Sequence, residues 1–306
     1  AQTRAKVESA AEELGYQPNV LASSLTTGRT KLVGLVVNNF RNPAYLEMFD
    51  LFTRGLQDHG LRPLLVNLSG ETDPGQSVRM LRQYSVDAAI VASSTLSPSF
   101  SAAFAQAGIP VVHAFGRVGQ DPHVPVVGID NVSAGAMAAG ALLDSGYQRI
   151  AFLGGPKGAT TTEDRMKGFL AEAQRHAGVE AQVSFAQEYS FQAGRAEMLR
   201  LLGEGPAQAY FCGDDVLSIG AMSAILSYGL RVPDDIGVIG FNNMEMSGWE
   251  NIALTTIHQP FAEIVNAAIE MVLAQLSPKG MGLASRVFAC TLIRRSSLRN
   301  SGTSPS

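Results

Sequence analysis

The stretch YQPNVLASSLTTGRTKLVGLVV, Tyr16 to Val37, determines how the chain is divided, because three kinds of segment meet inside it. A first helix ends before Pro18, since the residue preceding a proline is disfavoured in the α region. Residues 20–26 have the pattern of two helical turns, and the polar residues 27–30 lead into the apolar run Leu32–Val37, which predicts a buried strand. A helix of about seven residues is too short to be stable alone in water. We therefore expect residues 20–26 to be helical only when another surface holds them.

Composition indicates a globular protein. The chain has 306 residues, of which 46% are hydrophobic and 16% charged, enough for one large or two medium cores. Its net charge of −4 argues against binding nucleic acid through bulk charge. A DNA contact would need a local basic surface, and the first 31 residues supply a small one with Arg4, Lys6, Arg29 and Lys31.

Motifs for metal, cofactor or nucleophilic chemistry are not found in the sequence. The five histidines are scattered without ligand spacing, and Cys212 and Cys290 are predicted to be reduced, buried thiols. The glycine-rich residues 154–158 lack the Gly-Lys-Ser/Thr of a phosphate loop and predict a turn. We expect no metal, no cofactor and no enzymatic activity. With no leader and no long apolar run, we expect a cytoplasmic protein without membrane contact.

Apolar strands alternate with helical segments from residue 31 to about 129, and the alternation begins again at 131 and continues to about 240. This pattern predicts βαβ units and parallel sheets. The predicted strands are 32–37, 63–68, 88–92, 110–114 and 126–129, followed by 150–154, 182–187, 209–212 and 236–240. The fold class is therefore α/β, with two doubly wound parallel-sheet subdomains and a ligand cleft beyond the carboxyl ends of the strands.

Several motifs in the opening stretch resemble the LacI/GalR family of bacterial transcription regulators. They are Gly15-Tyr16-x-Pro18-Asn19, Ala22-x-Ser24-Leu25, Thr27-Gly28-Arg29-Thr30 and Gly34-Leu35-Val36-Val37. The resemblance implies a core of periplasmic-binding-protein type, preceded by the remnant of a helical DNA-binding headpiece and a hinge helix that lies in the minor groove. Leu25 stands where the family wedges a leucine between base steps. The alternative is that Val20, Leu21 and Leu25 pack on the core.

The same resemblance implies DNA contacts and domain limits. Its DNA-binding positions are Arg4, Tyr16, Asn19, Ala22 and Leu25. The family's two preceding helices, which read the major groove, are absent from this sequence, so we expect the chain as given to lack base-specific readout. Residues 254–260 match the family's crossover, and we predict a strand over 286–293. The predicted domains are 1–30 for headpiece and hinge, 31–130 plus 260–280, 131–259 plus 281–295, and a disordered tail, 296–306.

Polar groups at the strand ends form the candidate ligand site. They offer amide, hydroxyl and guanidinium groups with two tyrosines, a mixture that suits hydroxylated molecules. By resemblance, Tyr45 and Tyr189 place aromatic rings on the ligand, and Arg165 grips it. The predicted effector-binding residues are Asn38, Tyr45, Ser93, Thr161, Arg165, Tyr189, Asp214 and Asn242.

Simpler interpretations of these residues stay open. The tyrosines could be ordinary packing at helix starts, and Arg165 could pair with Glu163 or Asp164 on the surface. Asp215 is favoured as a helix N-cap, and Asp214 is as much a cap as a contact.

Two departures from the family bear on the ligand. Asn242 and Asn243 stand where the family usually has aspartates, and Phe115 stands where members often carry an aspartate. The loss of negative charge near Arg165 favours a neutral or anionic effector such as a sugar, polyol or sugar acid. We predict a homodimeric regulator, most often a repressor, that binds operator DNA under control of this effector. The alternative is a periplasmic-type solute-binding protein, which would have no use for the hinge.

Overall fold

The computed structural model describes residues 10, 13–14, 24–26, 28–68, 73–93, 96, 98–118, 124–277 and 284–300. Within these ranges the chain forms two six-stranded sheets. The two sheets follow one another along most of the chain, as the repeated alternation of the sequence predicts. We call the parts built around them the first and second subdomains. Their residue limits remain a prediction.

The first sheet is parallel throughout, in the order β11-β5-β4-β3-β1-β2. Its strands are β1 Leu32–Val37, β2 Arg62–Asn67, β3 Ala88–Ala92, β4 Val111–Ala114, β5 Val126–Ile129 and β11 Arg286–Phe288. Strand β3 at its centre is buried along its whole length. This explains why its sequence, AAIVA, is apolar at every position instead of alternating.

The second sheet has the order β12-β10-β9-β8-β6-β7 and is parallel except for the antiparallel edge pair β10–β12. Its strands are β6 Arg149–Gly154, β7 Glu180–Phe185, β8 Ala209–Cys212, β9 Gly237–Asn242, β10 Thr255–His258 and β12 Thr291–Ile293. The antiparallel edge strand closes a sheet that the sequence pattern predicts as parallel.

Helices connect the strands. They are α1 Ala44–Asp58, α2 Pro74–Gln83, α3 Pro98–Gln106, α4 Asn131–Asp144, α5 Thr160–Gln174, α6 Phe191–Glu204, α7 Asp215–Ser227 and α8 Phe261–Leu276, with a 3-10 turn at Glu245–Gly248. Asp73 caps α2, because its carboxylate accepts from the backbone N–H of Gly75. Helix α1 begins directly after Pro43, and the Asn42 side chain accepts from the N–H of Ala44. Within the described residues no helix is both long and apolar enough to cross a bilayer.

The chain passes between the subdomains three times, after β5, after β10 and between β11 and β12. The single strand predicted over 286–293 is therefore wrong. Residues 289–290 interrupt it, and β11 joins the first sheet while β12 joins the second. Strand β11 pairs with β5 of the first sheet, although it lies within residues 281–295, which are predicted for the second subdomain. Three connections restrict the subdomains to hinge-like motion.

The predicted disordered tail is also partly ordered. The Ser297 hydroxyl donates to the carbonyl of Val238 over 2.6 Å, and Leu298 is buried. These contacts tie 296–300 to the second subdomain, so low sequence complexity was misleading there. Residues 301–306 lie outside the described residues.

The hinge region is described only in part. Residues 24–26 are helical, and the N–H of Gly28 donates to the carbonyl of Ser24 over 2.8 Å. Leu25 has 90% of its surface exposed, so in this structure it does not pack on the core. Arg4, Tyr16, Asn19 and Ala22 lie outside the described residues, as does most of the first predicted helix.

Candidate functional site

A pocket lies between the two subdomains at the carboxyl ends of their strands, where the sequence pattern predicts it. Five of the eight predicted effector residues line it. They are Tyr45, Arg165, Tyr189, Asp214 and Asn242. The other lining residues are Asn39, Asn42, Ala44, Met48, Phe115, Gln259 and Phe261.

Asp214 connects the two walls of this pocket. Its Oδ2 accepts hydrogen bonds of 2.9 Å from the side-chain amides of Asn42 in the first subdomain and Asn242 in the second. Its Oδ1 accepts from the N–H of Val216, so Asp214 also caps α7. Both interpretations of Asp214 thus have a structural basis: it is a helix cap and it faces the pocket. Burial raises its pKa to about 6.

Asp215 is not the N-cap that the sequence favours. It is the first residue inside α7, and its carboxylate accepts from the N–H of Met244 and from the Thr256 hydroxyl, over 2.7 and 2.6 Å. Burial raises its pKa to about 8, and the charge of Asp214 adds to that effect. Asp215 therefore holds β9 and β10 to the helix from behind the pocket.

Arg165 is buried inside the site. Its Nε donates to Asn131 Oδ1 over 2.9 Å, and its Nη1 donates to the carbonyl of Gly213 over 2.7 Å. The guanidinium lies 3.5 Å above the ring centroid of Phe241. Burial lowers its pKa. These contacts fix the orientation of a planar group that can grip a polar ligand.

The alternative of a surface ion pair for Arg165 is wrong. The two acids beside it, Glu163 and Asp164, bond instead to Arg117 of the first subdomain. The Arg117–Asp164 contact is bidentate, with both N–O distances at 2.8 Å. Arg117 also donates to the carbonyl of Thr160. This group is a second bridge between the subdomains, and no sequence motif predicts it.

Aromatic rings surround the polar groups. Tyr45 lies in the first turn of α1, and Tyr189 follows β7. Both are buried and line the pocket. The Tyr189 hydroxyl lies 2.6 Å from the Thr162 hydroxyl, which fixes the ring. Phe115, which stands where members of the family often carry an aspartate, packs edge-on against Phe261 with ring centroids 5.6 Å apart.

The pocket is small. Its cavity volume is about 30 Å³, room for about one water molecule. A sugar is several times larger, so the subdomains must separate to admit one. The Asn42–Asp214 hydrogen bond and the Arg117–Asp164 ion pair are contacts that such a motion would break.

Three predicted effector residues do not line this pocket. The Ser93 hydroxyl donates to Asn38 Oδ1 over 2.8 Å, so these two side chains bond to each other. Thr161 is buried, and its hydroxyl has no hydrogen-bond partner among the described residues. Their assignment as effector residues stays a prediction for an opened cleft.

Several lining residues are not predicted by the strand-end pattern. Asn42 stands five residues past Val37, the last residue of β1, so the polar groups directly at the strand end do not indicate it. Gln259 and Phe261 follow β10 at the crossover and enter the site from the chain's second passage between subdomains. The match of residues 254–260 to the family's crossover could have indicated them.

The asparagines that replace the family's aspartates have a local explanation. Asn242 and Asn243 have φ of 107° and 58°, a left-handed backbone in which asparagine is among the best-tolerated side chains. Asn242 must donate to Asp214, which a carboxylate could not do. Asn243 instead accepts from Arg295 over 2.7 Å.

Metal sites and disulfides are not seen in the described ranges. No group of three or more potential ligands forms there, and Cys212 and Cys290 are free thiols. Buried His113 has its Nε2 3.0 Å from the carbonyl of Ser93, and burial lowers its pKa to about 4. It is therefore a neutral core residue.

The chain is similar to known proteins over most of its length. A profile of the periplasmic binding protein-like domain matches residues 139–298. The chain is 29% identical over 301 residues to the HTH-type transcriptional repressor CytR of Escherichia coli K12, covering 97% of this chain and 88% of CytR. It is 30% identical over 278 residues to the ribose operon repressor of the same strain, covering 89% and 84%.

A solved structure resembles the whole arrangement. The chain is similar to the lac repressor dimer bound to operator and an anti-inducer, with a TM-score of 0.84 and 24% identity, over 98% of this chain and 91% of that one. At this identity the likeness supports the fold alone, with its two subdomains and its intervening cleft.

Proposed function

The chain belongs to the LacI family of small-molecule-responsive transcriptional repressors, and we propose that its cleft binds a sugar, polyol or sugar acid that controls docking of the hinge on operator DNA. The observation that carries this proposal is the convergence of Arg165, Asp214 and Asn242 with Tyr45 and Tyr189 on one interdomain pocket. Amide, carboxylate and guanidinium groups can hydrogen-bond ring hydroxyls, while the aromatic faces cover C–H surfaces. The ribose operon repressor is a relative named for a sugar.

The proposed mechanism couples ligand binding to the hinge through the relative position of the subdomains. The effector stabilises one arrangement and so changes the separation of the two hinges across a dimer. A tenfold change in operator affinity needs about 1.4 kcal/mol of differential binding. The Asn42–Asp214 bond is of suitable size, since a hydrogen bond to a charged group contributes about 1.5–3 kcal/mol.

A homodimer would present two hinges, and the surface offers a place for a second copy. Leu46 of α1 and Trp249 after the 3-10 turn are 66% and 51% exposed and line one groove, although they come from different subdomains. Large exposed apolar side chains rimmed by polar residues mark interaction sites. A partner on this groove would touch both subdomains and therefore register their arrangement.

The alternatives differ in what they require of the same pocket. A solute-binding protein would use the cleft but has no role for an exposed Leu25 at a hinge. Enzymatic chemistry has little support, because the relatives are named as repressors and the pocket carboxylate Asp214 is held by three donors. We infer a cytoplasmic location from the proposed contact with DNA.

The proposal is tested by thermal unfolding of the chain against sugars, polyols, sugar acids, purines and cationic amines. A ligand at a hundred times its Kd adds about 2.7 kcal/mol of stability. We expect a neutral or anionic hit that Arg165→Ala abolishes. Arg165→Lys is the matched control, because it keeps the charge but loses the planar fork; it should retain only weak binding. Binding of cationic ligands alone would contradict the proposed effector class.

A further inference from the structure

The linker between hinge and core is attached to one carboxylate. Asp87 precedes β3 at the amino edge of the first sheet, and its Oδ2 accepts from the backbone N–H of Lys31 over 2.8 Å. Its Oδ1 accepts from the backbone N–H of Thr30 over 3.2 Å. In return, the N–H of Asp87 donates to the carbonyl of Leu32 over 2.9 Å. We call this set of bonds the Asp87 clamp.

Backbone geometry shows why the clamp matters. Lys31 has a φ of 58°, a left-handed conformation that costs a residue with a Cβ about 1 kcal/mol or more. This conformation turns the chain sharply just before β1. The left-handed conformation persists because the Asp87 carboxylate accepts hydrogen bonds from the backbone N–H groups of both Thr30 and Lys31. The direction in which the linker leaves the core is thus set by Asp87.

Further bonds fix the same short segment. The Thr30 hydroxyl donates to the carbonyl of Ser85, two residues before Asp87, over 2.7 Å. The Arg29 guanidinium donates to the carbonyl of Leu276, the last residue of α8, over 2.7 Å. The clamp is therefore the central contact of a linker that is tied to the edge of the first subdomain.

We propose that Asp87 is a positioning residue for repression, which transmits the orientation of the first subdomain to the hinge through the linker. This inference rests on the proposed regulatory function. The hinge helix is too short to hold its own orientation. A rotation of the first subdomain can move Leu25 only if the backbone of the linker, residues 28–31, keeps a fixed conformation. Without the carboxylate the linker would lose two charge-assisted hydrogen bonds and gain freedom.

The first test measures the clamp in the chain itself. Backbone amide hydrogen exchange is followed residue by residue in wild type, Asp87→Ala, Asp87→Asn and Asp58→Ala. Asp58 is the exposed last residue of α1, and the Asp58→Ala substitution removes the same charge as Asp87→Ala. We expect the amides of Thr30 and Lys31 to exchange about tenfold faster in Asp87→Ala, with a smaller effect in Asp87→Asn, which keeps one acceptor oxygen. The Leu35 amide inside β1 should be unaffected.

The second test measures DNA binding by the natural full-length protein. A duplex is selected from a random-sequence library with wild type, and the variants are then titrated against it. We expect Asp87→Ala to bind about tenfold or more weakly, and Asp58→Ala to stay within about twofold of wild type. Because both variants remove one negative charge, a general electrostatic effect on DNA would appear equally in both.

The outcomes separate the two proposals. If wild type selects no duplex, the proposed function fails. If wild type binds and Asp87→Ala binds as tightly as Asp58→Ala, the positioning role of Asp87 is contradicted, whatever its amide exchange. If Asp87→Ala does not fold, Asp87→Asn decides by the same comparison, and a loss of affinity with unchanged exchange at Leu35 supports the clamp.

Discussion

The side-chain amide of Asn42 donates a 2.9 Å hydrogen bond to Oδ2 of Asp214, across the boundary between the two subdomains. Both groups are buried, so this bond forms where water does not compete with it. It joins the start of the first subdomain's α1 to the cap of the second subdomain's α7. The closed cleft therefore depends on a contact made by the same groups that line the pocket.

Removing this amide should open the cleft. We expect Asn42→Ala to lower the free energy of unfolding by about 2 kcal/mol, because a buried hydrogen bond to a carboxylate is lost. Small-angle X-ray scattering should show a larger radius of gyration. Asn39→Ala, which removes another amide from the same pocket wall, is the control. Equal radii for wild type and Asn42→Ala would show that the bond does not hold the subdomains together.

Asn242, the last residue of β9, and Asn243, which follows it, should respond to a negative charge with effects of different size. Asn242→Asp places a carboxylate against Asp214, and we expect a loss of about 3 kcal/mol from burying two like charges. Asn243→Asp faces Arg295 instead and should change stability by less than about 1 kcal/mol. Urea unfolding of both variants measures the difference, and equal effects would refute the assigned partners.

Stability should depend on pH through the buried aspartates of α7. Burial raises the pKa of Asp214 to about 6 and that of Asp215 to about 8, whereas both are near 3.8 when unfolded. The folded state thus binds more protons between about pH 4 and 8, so this contribution is complete below pH 4 and is lost as pH rises through the two folded values. The stability advantage of wild type over Asp214→Asn/Asp215→Asn should shrink over that range. An advantage that grows with pH would contradict the raised pKa values.

The dimer surface can be tested without a ligand. Trp249→Glu puts a charge into the exposed groove that Trp249 shares with Leu46, and we expect at least a tenfold weaker self-association by analytical ultracentrifugation. Tyr228→Glu, an equally exposed aromatic at the end of α7, is the control and should not change it. A Trp249→Glu chain that associates as tightly as wild type would place the dimer contact elsewhere.

Much of the fold could be predicted from sequence because its strands are continuous apolar runs. Strands β1, β3, β5 and β8 have the predicted bounds, since both faces of a parallel sheet are covered and every position is apolar. The prediction of a single crossover strand over 286–293 was wrong, because the apolar pattern there does not show which sheet each part joins. Residues 286–293 have one apolar pattern, but the break at 289–290 sends β11 and β12 to different sheets, which depends on tertiary contacts.

The sequence predicts those site residues that lie at strand ends or helix starts. It does not predict the residues whose position depends on contacts between the subdomains. Arg165 lies in the second turn of α5, Asp214 caps α7 and Asn242 ends β9, all at the same edge of the second sheet, so the topology brings them together. Arg117 has no signal in its own segment, because its partner Asp164 is brought near it only by the packing of the two subdomains. Pairing of Ser93 with Asn38 likewise depends on side-chain geometry that no periodicity reveals.

The central claim is that ligand in the cleft controls DNA binding, and the most direct measurement is operator affinity of the natural full-length protein with and without the stabilising ligand from the thermal screen. We predict at least a tenfold change in affinity at saturating ligand, abolished by Arg165→Ala, because the ligand and the hinge are coupled through the subdomain arrangement. An operator affinity that is unchanged at saturating ligand would contradict it.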